Sequence, residues 1–271
     1  MGSGQTEGRT IAHVRRQEIA DVLRAEGSVT VARLEERFGI SSMTARRDLA
    51  ELERRGLARR THGGAVLPTA AGHEDSFLSR LTRAGDAKLA LARAAAELVA
   101  EEDSVFLDSS STAYHVAREL LERNLRLTII TNSQPIMELV ASHPTSTADL
   151  IAIGGTLRRL TRSFVGPVAT QAVQSHYADR FFFSVKGVTP DGVLTDADSL
   201  EAEVKRTMLR RASEPILLID QSKLEARGLS VIAPVNEVTR ILTCGVDEEE
   251  LAPLVALGVA LDTVPNTEEA A

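Results

Sequence analysis

From His13 to Ala25 the apolar residues Ile19, Val22 and Leu23 fall on one helical face, and the run stops at Gly27, which predicts a first amphipathic helix. Thr30 is placed to cap a second helix with Val31, Leu34 and Phe38 at helical spacing and Gly39 at its end. Ser41 is placed to cap a third, with Ile40 and Ala45 set to pack across the cap. In that third helix Ala45, Leu49 and Leu52 form an inward stripe, Met43, Arg47, Ala50 and Arg54 lie opposite, and Arg46 flanks the outer face. Beyond Gly56 the run Leu57 to Val66 gives two short extended stretches around His62-Gly63-Gly64, a small hairpin with a basic rim. Residues 67–84 contain Pro68, small residues and charges without a period, which predicts a linker.

From Asp86 the pattern alternates. A helix over Asp86 to Ala100 precedes a strand over Ser104 to Leu107, a helix over Thr112 to Arg123, and a strand over Leu125 to Ile130. A helix over Pro135 to Ser142 and a strand over Leu150 to Ile153 follow. Such alternation predicts a largely parallel, doubly wound α/β sheet. The predicted organisation is a disordered N-terminus over 1–9, a winged helix-turn-helix over 10–66, the linker over 67–84, an α/β domain over 85–262 and a disordered tail over 263–271.

Charge sharpens this division. The 271 residues sum to -7, yet residues 9–66 hold twelve arginines against eight acids, and residues 67–271 hold 19 basic against 29 acidic residues. A basic module on an acidic body is the distribution of a DNA reader joined to a domain with another task. Two short helices around a Gly-containing turn, followed by a hairpin, form a winged helix-turn-helix whose third helix enters the major groove. The candidate DNA contacts are Ser41, Ser42, Met43, Thr44, Arg46 and Arg47 on that helix, and Arg59, Arg60, His62 and Gly63 on the wing. The competing reading sets Arg46 and Arg47 against Asp48 and Glu51 as a solvated surface, with His62 a plain turn residue.

In doubly wound sheets ligands bind beyond the carboxyl ends of the strands. The first such end is Asp108-Ser109-Ser110-Ser111-Thr112, hydroxyls and amides at a helix start that suit an anion or simply cap the helix. Others are Thr131-Asn132-Ser133, Gly154-Gly155-Thr156, Ser184-Val-Lys186-Gly187 and Asp220-Gln-Ser-Lys223, with Glu201 and Lys205 on a nearby helix. Lysines there can neutralise a phosphate and acids can hold sugar hydroxyls, although Glu201 and Lys205 at i, i+4 also fit an ordinary surface pair. One cysteine, Cys244, in an apolar run reads as a buried strand residue, and the six histidines lack metal-ligand spacing, so neither metal nor cofactor is expected. No membrane span is expected from any apolar run, which predicts a cytoplasmic protein.

The strings Arg16-Gln-Glu-Ile19, Ser41-Ser-Met-Thr-Ala-Arg-Arg-Asp-Leu49, Glu53-Arg-Arg-Gly56 and His62-Gly-Gly-Ala65 resemble the DeoR family of bacterial repressors. Asp108 to Thr112, Thr131-Asn-Ser133, Gly154-Gly-Thr-Leu-Arg158, Phe164-Val-Gly-Pro167, Glu201-Ala-Glu-Val-Lys205 and Asp220-Gln-Ser-Lys223 extend the likeness over residues 10–262. The resemblance implies a sensor domain similar in fold to ribose-5-phosphate isomerase and CoA transferases. It implies a phosphorylated sugar or related metabolite as effector, with Ser109, Ser111, Thr112, Lys205 and Lys223 on the phosphate and Asp108, Asn132 and Asp220 shaping the pocket. Two departures stand out: Ser110 where the family carries Gly, and Ser184-Val-Lys-Gly187 in place of an Ala-Asp-Gly type of segment. The implied partners are double-stranded operator DNA, the effector and further copies of the chain. Two rivals remain: an isomerase using Asp196, Asp198, Glu201 and Lys205, and a constitutive DNA-binding scaffold.

Overall fold

The computed structural model describes residues 14–23, 28–55, 57–61, 63–66, 75–143, 145–224 and 226–265. The chain divides into two compact units, Met1–Ser76 and Phe77–Ala271.

In the first unit helix α1 covers 14–23, followed by β1 (Ser28–Thr30), α2 (Val31–Phe38), α3 (Ser42–Arg54), β2 (Arg59–Thr61) and β3 (Gly64–Val66). The caps lie where the sequence placed them. Thr30 accepts from the Arg33 amide at 3.2 Å, Gly39 ends α2 in the left-handed region at φ 61°, and Ser41 accepts from the Thr44 amide at 3.3 Å. Ile19, Leu23, Leu34, Ala45, Leu49, Leu52 and Ala65 close one core. Each large aliphatic side chain so buried contributes about 1.5–3 kcal/mol. Strand β1 was not foreseen. It pairs with β3, giving an antiparallel wing of order β1-β3-β2. Gly64 is what permits this pairing, because a Cβ there would lie 2.0 Å from the Val29 carbonyl oxygen.

The second unit runs α4 (Phe77–Thr82), α5 (Gly85–Glu97), β4 (Ser104–Leu107), α6 (Ser111–Arg123), β5 (Thr128–Thr131), α7 (Gln134–Ser142), β6 (Asp149–Ala152), β7 (Thr156–Arg158), β8 (Ser163–Val165), α8 (Pro167–Gln174) and β9 (Ala178–Phe183). It continues through β10 (Gly187–Val188), β11 (Val193–Asp196), α9 (Ser199–Leu209), β12 (Ala212–Asp220), β13 (Ser230–Pro234), β14 (Arg240–Cys244), α10 (Glu248–Val255) and β15 (Ala260–Val264). Seven strands form one parallel sheet of order β15-β14-β12-β9-β4-β5-β6. Alternation along the strands feeds two cores. Val105, Leu107, Ile129, Phe182, Ile216 and Leu218 face α5, α6 and α7, while Phe106, Ile130, Phe181, Phe183, Leu217 and Ile219 join residues of α8, α9 and α10. The sheet is thus covered on both sides, as a doubly wound architecture requires.

Within the segment expected to be linker, Phe77–Thr82 is helical. Six residues are too few to show a period, and the helix is held by tertiary contact, with Phe77 packed edge-on against Tyr114 at 5.7 Å between ring centroids.

Candidate functional site

On α3 the buried stripe fixes which side faces out. Ser41, Ser42, Met43, Arg46 and Arg47 are exposed and Thr44 half-buried, its hydroxyl 3.0 Å from that of Ser41. The acids set against the two arginines are engaged elsewhere. Asp48 is buried and accepts from Arg15 Nε and Arg16 Nε, each at 2.7 Å, so it ties α3 to α1. Glu51 accepts from Arg54 at 2.6 Å and Arg55 at 2.8 Å. The hydrogen bond from Arg54, against slight burial, and that from Arg55 pull its carboxyl down to about 2. No described residue pairs with Arg46 or Arg47, whose guanidinium groups stay available for phosphate or guanine. On the wing, Arg60 is pinned to α3 by two bonds to Glu53, both 2.9 Å, one from its amide and one from Nε. Arg59 lies on β2, and His62 falls outside the described residues. Gly63 is exposed, its carbonyl accepting from the Val31 amide at 2.9 Å.

In the second unit the parallel sheet places the ends of β12, β9, β4 and β5 side by side. Asp108 to Thr112 is buried throughout, and Ser110 caps α6 by accepting from the Ala113 amide at 3.0 Å. Asp108 accepts from the Ser110 amide at 3.0 Å and the Ser184 amide at 3.3 Å, stitching β4 to β9.

Lys205 and Glu201 are not a surface pair. The Lys205 ammonium is buried 3.0 Å from Asp108, 2.7 Å from Asp196 and 2.7 Å from the Ser184 carbonyl. Burial opposes its charge, but Asp196 and Asp108 outweigh burial and hold its pKa above the ordinary lysine value. Glu201 is likewise buried. It accepts from Ser109 at 2.9 Å, Arg158 at 2.9 Å, Thr161 at 2.8 Å and Ser163. Ser163, Lys205, Thr161 and Arg158 outweigh burial and keep its carboxyl below the usual range. Lys205, assigned to the phosphate through resemblance, thus has three internal acceptors, and Glu201 orients Ser109.

A different cluster stands beside it. Asp220 ends β12, Lys223 closes the 3-10 turn that follows, and Lys186 follows β9; Asp220 caps that turn, accepting from the Ser222 amide at 2.9 Å. Burial lowers the Lys223 ammonium, Asp220 opposes that, and Arg80, Lys186 and Arg83 add to the lowering. Lys88 on α5 is buried, donating to the carbonyls of Arg80 and Arg83. Burial first, then Lys223 and with them Arg80 and Arg83, push it down to about 8 against the pull of Asp220. Arg80 has buried Nε and Nη2 groups without acceptors. Sequence reasoning missed Arg80, Arg83 and Lys88; their signal was a basic cluster at the start of an acidic body. Asn132 Oδ1, Ser133 Oγ and Ser184 Oγ, buried at the ends of β5 and β9, also lack partners. Buried polar atoms of this kind call for a water or a ligand.

Gly154 and Gly155 are not brought to this cluster. They follow β6, four strands from β12, roughly 19 Å at the usual strand spacing. Gly155, at φ 148°, instead lets β8 approach, since a Cβ would sit 2.7 Å from the Val165 carbonyl oxygen. Among the described residues no group of acids, histidines and cysteine is placed to hold a metal, and no helix is long and apolar enough to cross a membrane.

Residues 15–71 match the DeoR-like helix-turn-helix domain and residues 83–244 the DeoR C terminal sensor domain. The chain is 35% identical to the transcriptional repressor AccR of Agrobacterium fabrum, covering 84% of this chain and 88% of that one. It is 35% identical to the L-fucose operon activator of Escherichia coli, over 88% and 96%, and 32% identical to the lactose phosphotransferase system repressor of Streptococcus mutans, over 89% and 95%. Among solved structures, ribose 5-phosphate isomerase A of Methanocaldococcus jannaschii aligns with 52% of this chain and 54% of its own, at 21% identity and a TM-score of 0.39. Two adjoining family domains and relatives matched over most of their length place the chain in the DeoR family, as a DNA-binding transcriptional regulator and not an enzyme.

Proposed function

We propose that this regulator represses carbohydrate-utilisation genes and leaves its operator when a phosphorylated sugar occupies the strand-end cluster. The observation that carries the reading is the excess of positive charge there: Arg80, Arg83, Lys88 and Lys186 act with Lys223 around the carboxylate of Asp220, and hydroxyls without partners lie at neighbouring strand ends. A phosphate dianion supplies both missing charge and acceptors. The sugar hydroxyls then meet Asn132, Ser133 and Ser184, while the buried Lys205, Asp108 and Asp196 set keeps β4, β9 and α9 in register. The relatives named for fucose and lactose systems favour a sugar over other phosphorylated metabolites.

On DNA, Arg46 and Arg47 serve as base or phosphate ligands with Met43 against a thymine methyl, and Ser41, Ser42 and Thr44 meet the backbone at the helix start. Arg59, Arg60, His62 and Gly63 serve the wing. A single winged helix reads a short half-site, so the working form is a homo-oligomer, acting in the cytoplasm where both DNA and phosphorylated sugars are found. A thermal-shift screen of pentose and hexose phosphates tests the reading, because a ligand of the folded state alone at about 100 times its Kd stabilises by about 2.7 kcal/mol. Stabilisation by phosphorylated sugars and not by the parent sugars is expected. No response to any of them contradicts the proposal.

A further inference from the structure

Helix α4 is the first element after the boundary between the two units, and it also supplies Arg80 to the cation cluster. We propose that α4 carries the occupancy of the strand-end site to the DNA-reading unit, with Phe77 as its pivot and Arg80 and Lys88 as its handle. This rests on the reading of that cluster as an anion site.

Two attachments of α4 lie toward its ends. At its start Phe77 is 2% exposed, packs on Tyr114, and donates its amide to the Leu160 carbonyl at 2.9 Å. At its end the Lys88 ammonium donates to the Arg80 and Arg83 carbonyls, closing a helix too short to persist alone. The chain then turns into α5 through Ala84 at φ 51° and ψ 46°, a conformation unfavourable for any residue with a Cβ. Beneath α4, His115 is buried near the backbone of Leu81. Burial, with Arg118 and Lys88, outweighs the Leu81 backbone and lowers its pKa, which disfavours a further positive charge there.

The electrostatics give this helix a reason to move. In the free protein Lys223, Arg80 and Arg83 repel the Lys88 ammonium, and Arg80, Lys186 and Arg83 repel that of Lys223, against the attraction of Asp220 for both. An anion replaces repulsion by attraction and offers acceptors to Arg80 Nε and Nη2 and to the third proton of Lys88. The end of α4 bearing Arg80 is drawn toward the strand ends while Phe77 stays held by Tyr114 and Leu160, so the helix tilts about the residue at which the second unit begins. The anion can drive this only by its preference for the tilted arrangement.

The chain has no tryptophan, so Leu78→Trp, at a side chain 65% exposed on α4, is a unique reporter. Tyr177→Trp, on the exposed segment before β9, is the control. Titrating inorganic phosphate into each full-length variant should shift the emission of Leu78→Trp saturably, at the concentration that stabilises the wild-type fold, and leave Tyr177→Trp unchanged. Phe77→Ala should keep phosphate-dependent stabilisation yet lose at least fivefold of the phosphate effect on affinity for an operator duplex selected by the wild-type protein. Stabilisation by phosphate with silent emission at position 78 overturns the role of α4 and leaves the site reading intact. Absence of stabilisation in the wild type overturns the site reading and this proposal with it. If Phe77→Ala does not fold, the emission arm alone decides.

Discussion

Replacing Lys205 by Met separates a structural cation from a ligand contact. The ammonium faces Asp108, 1% exposed, and Asp196, 6% exposed, at 3.0 and 2.7 Å. A methionine of similar length removes the charge and leaves two buried carboxylates facing each other. Breaking a buried ion pair by deleting one partner costs about 3–5 kcal/mol. For a unit of this size each kcal/mol is worth about 2–4 °C, so the transition of the second unit should fall by roughly 6–20 °C. One of the two aspartates should then take up a proton. A carboxyl whose folded pKa rises above its unfolded value favours folding at low pH, so the deficit should shrink as pH falls from 7 toward 5. Adding Asp196→Asn should recover part of the loss, giving a favourable coupling in the double-mutant cycle. Urea denaturation of the full chain at several pH values reads all three quantities. A loss under about 1 kcal/mol, flat with pH and without coupling to Asp196, refutes the structural role and returns Lys205 to the effector.

Arg47→Ala should weaken operator binding by about 1–3 kcal/mol and lower the salt slope, while Arg118→Ala, which removes a sensor-unit arginine paired with Glu122 at 3.6 Å, should change neither in fluorescence anisotropy. Gly64→Ala should destabilise the first unit by about 1–3 kcal/mol, because its Cβ collides with the Val29 carbonyl, whereas Gly63→Ala, with nothing within 4 Å, should be near neutral in thermal melts. Lys88 titrates at about 8 in the free protein against an ordinary 10.5, so its penalty on folding is complete below pH 8 and is relieved as pH rises from 8 to 10.5. A bound phosphate restores that proton. Affinity for a phosphorylated sugar should therefore fall above pH 8 by up to about tenfold per unit in calorimetry, and Lys88→Met should flatten the profile.

The parts legible in the sequence are those whose cause is local. The caps Thr30 and Ser41, the Ala45-Leu49-Leu52 stripe and the alternation through β4, α6 and β5 each rest on residues within a turn or a strand of one another. Strand β1 and helix α4 escaped because three and six residues carry no period, and both form only through partners supplied elsewhere, β3 for one and Tyr114 for the other. At the candidate site, the helix start at Ser109 to Thr112 was visible, but the fate of its neighbours was not. Glu201 meets Ser109 across 92 positions, and Lys205 meets the Ser184 carbonyl across 21, contacts that spacing cannot announce. Asp48 misled in the same way: beside Arg46 and Arg47 in sequence, it faces Arg15 and Arg16 in space. Lys88 was hidden in an alanine-rich helix, its charge legible only once Lys223 and Asp220 are placed near it.

An anion at the strand-end cluster is proposed to loosen the hold on DNA. The most direct measurement of this is the affinity of the full-length protein for its operator duplex, titrated with hexose and pentose phosphates, in the wild type and in Lys223→Ala. A phosphorylated sugar should lower wild-type affinity by about 5–150-fold, the usual range of allosteric coupling. Lys223→Ala should bind the operator as the wild type does and no longer respond. A variant released at the same sugar phosphate concentration as the wild type, or a wild type unmoved by every phosphorylated sugar, contradicts the proposal.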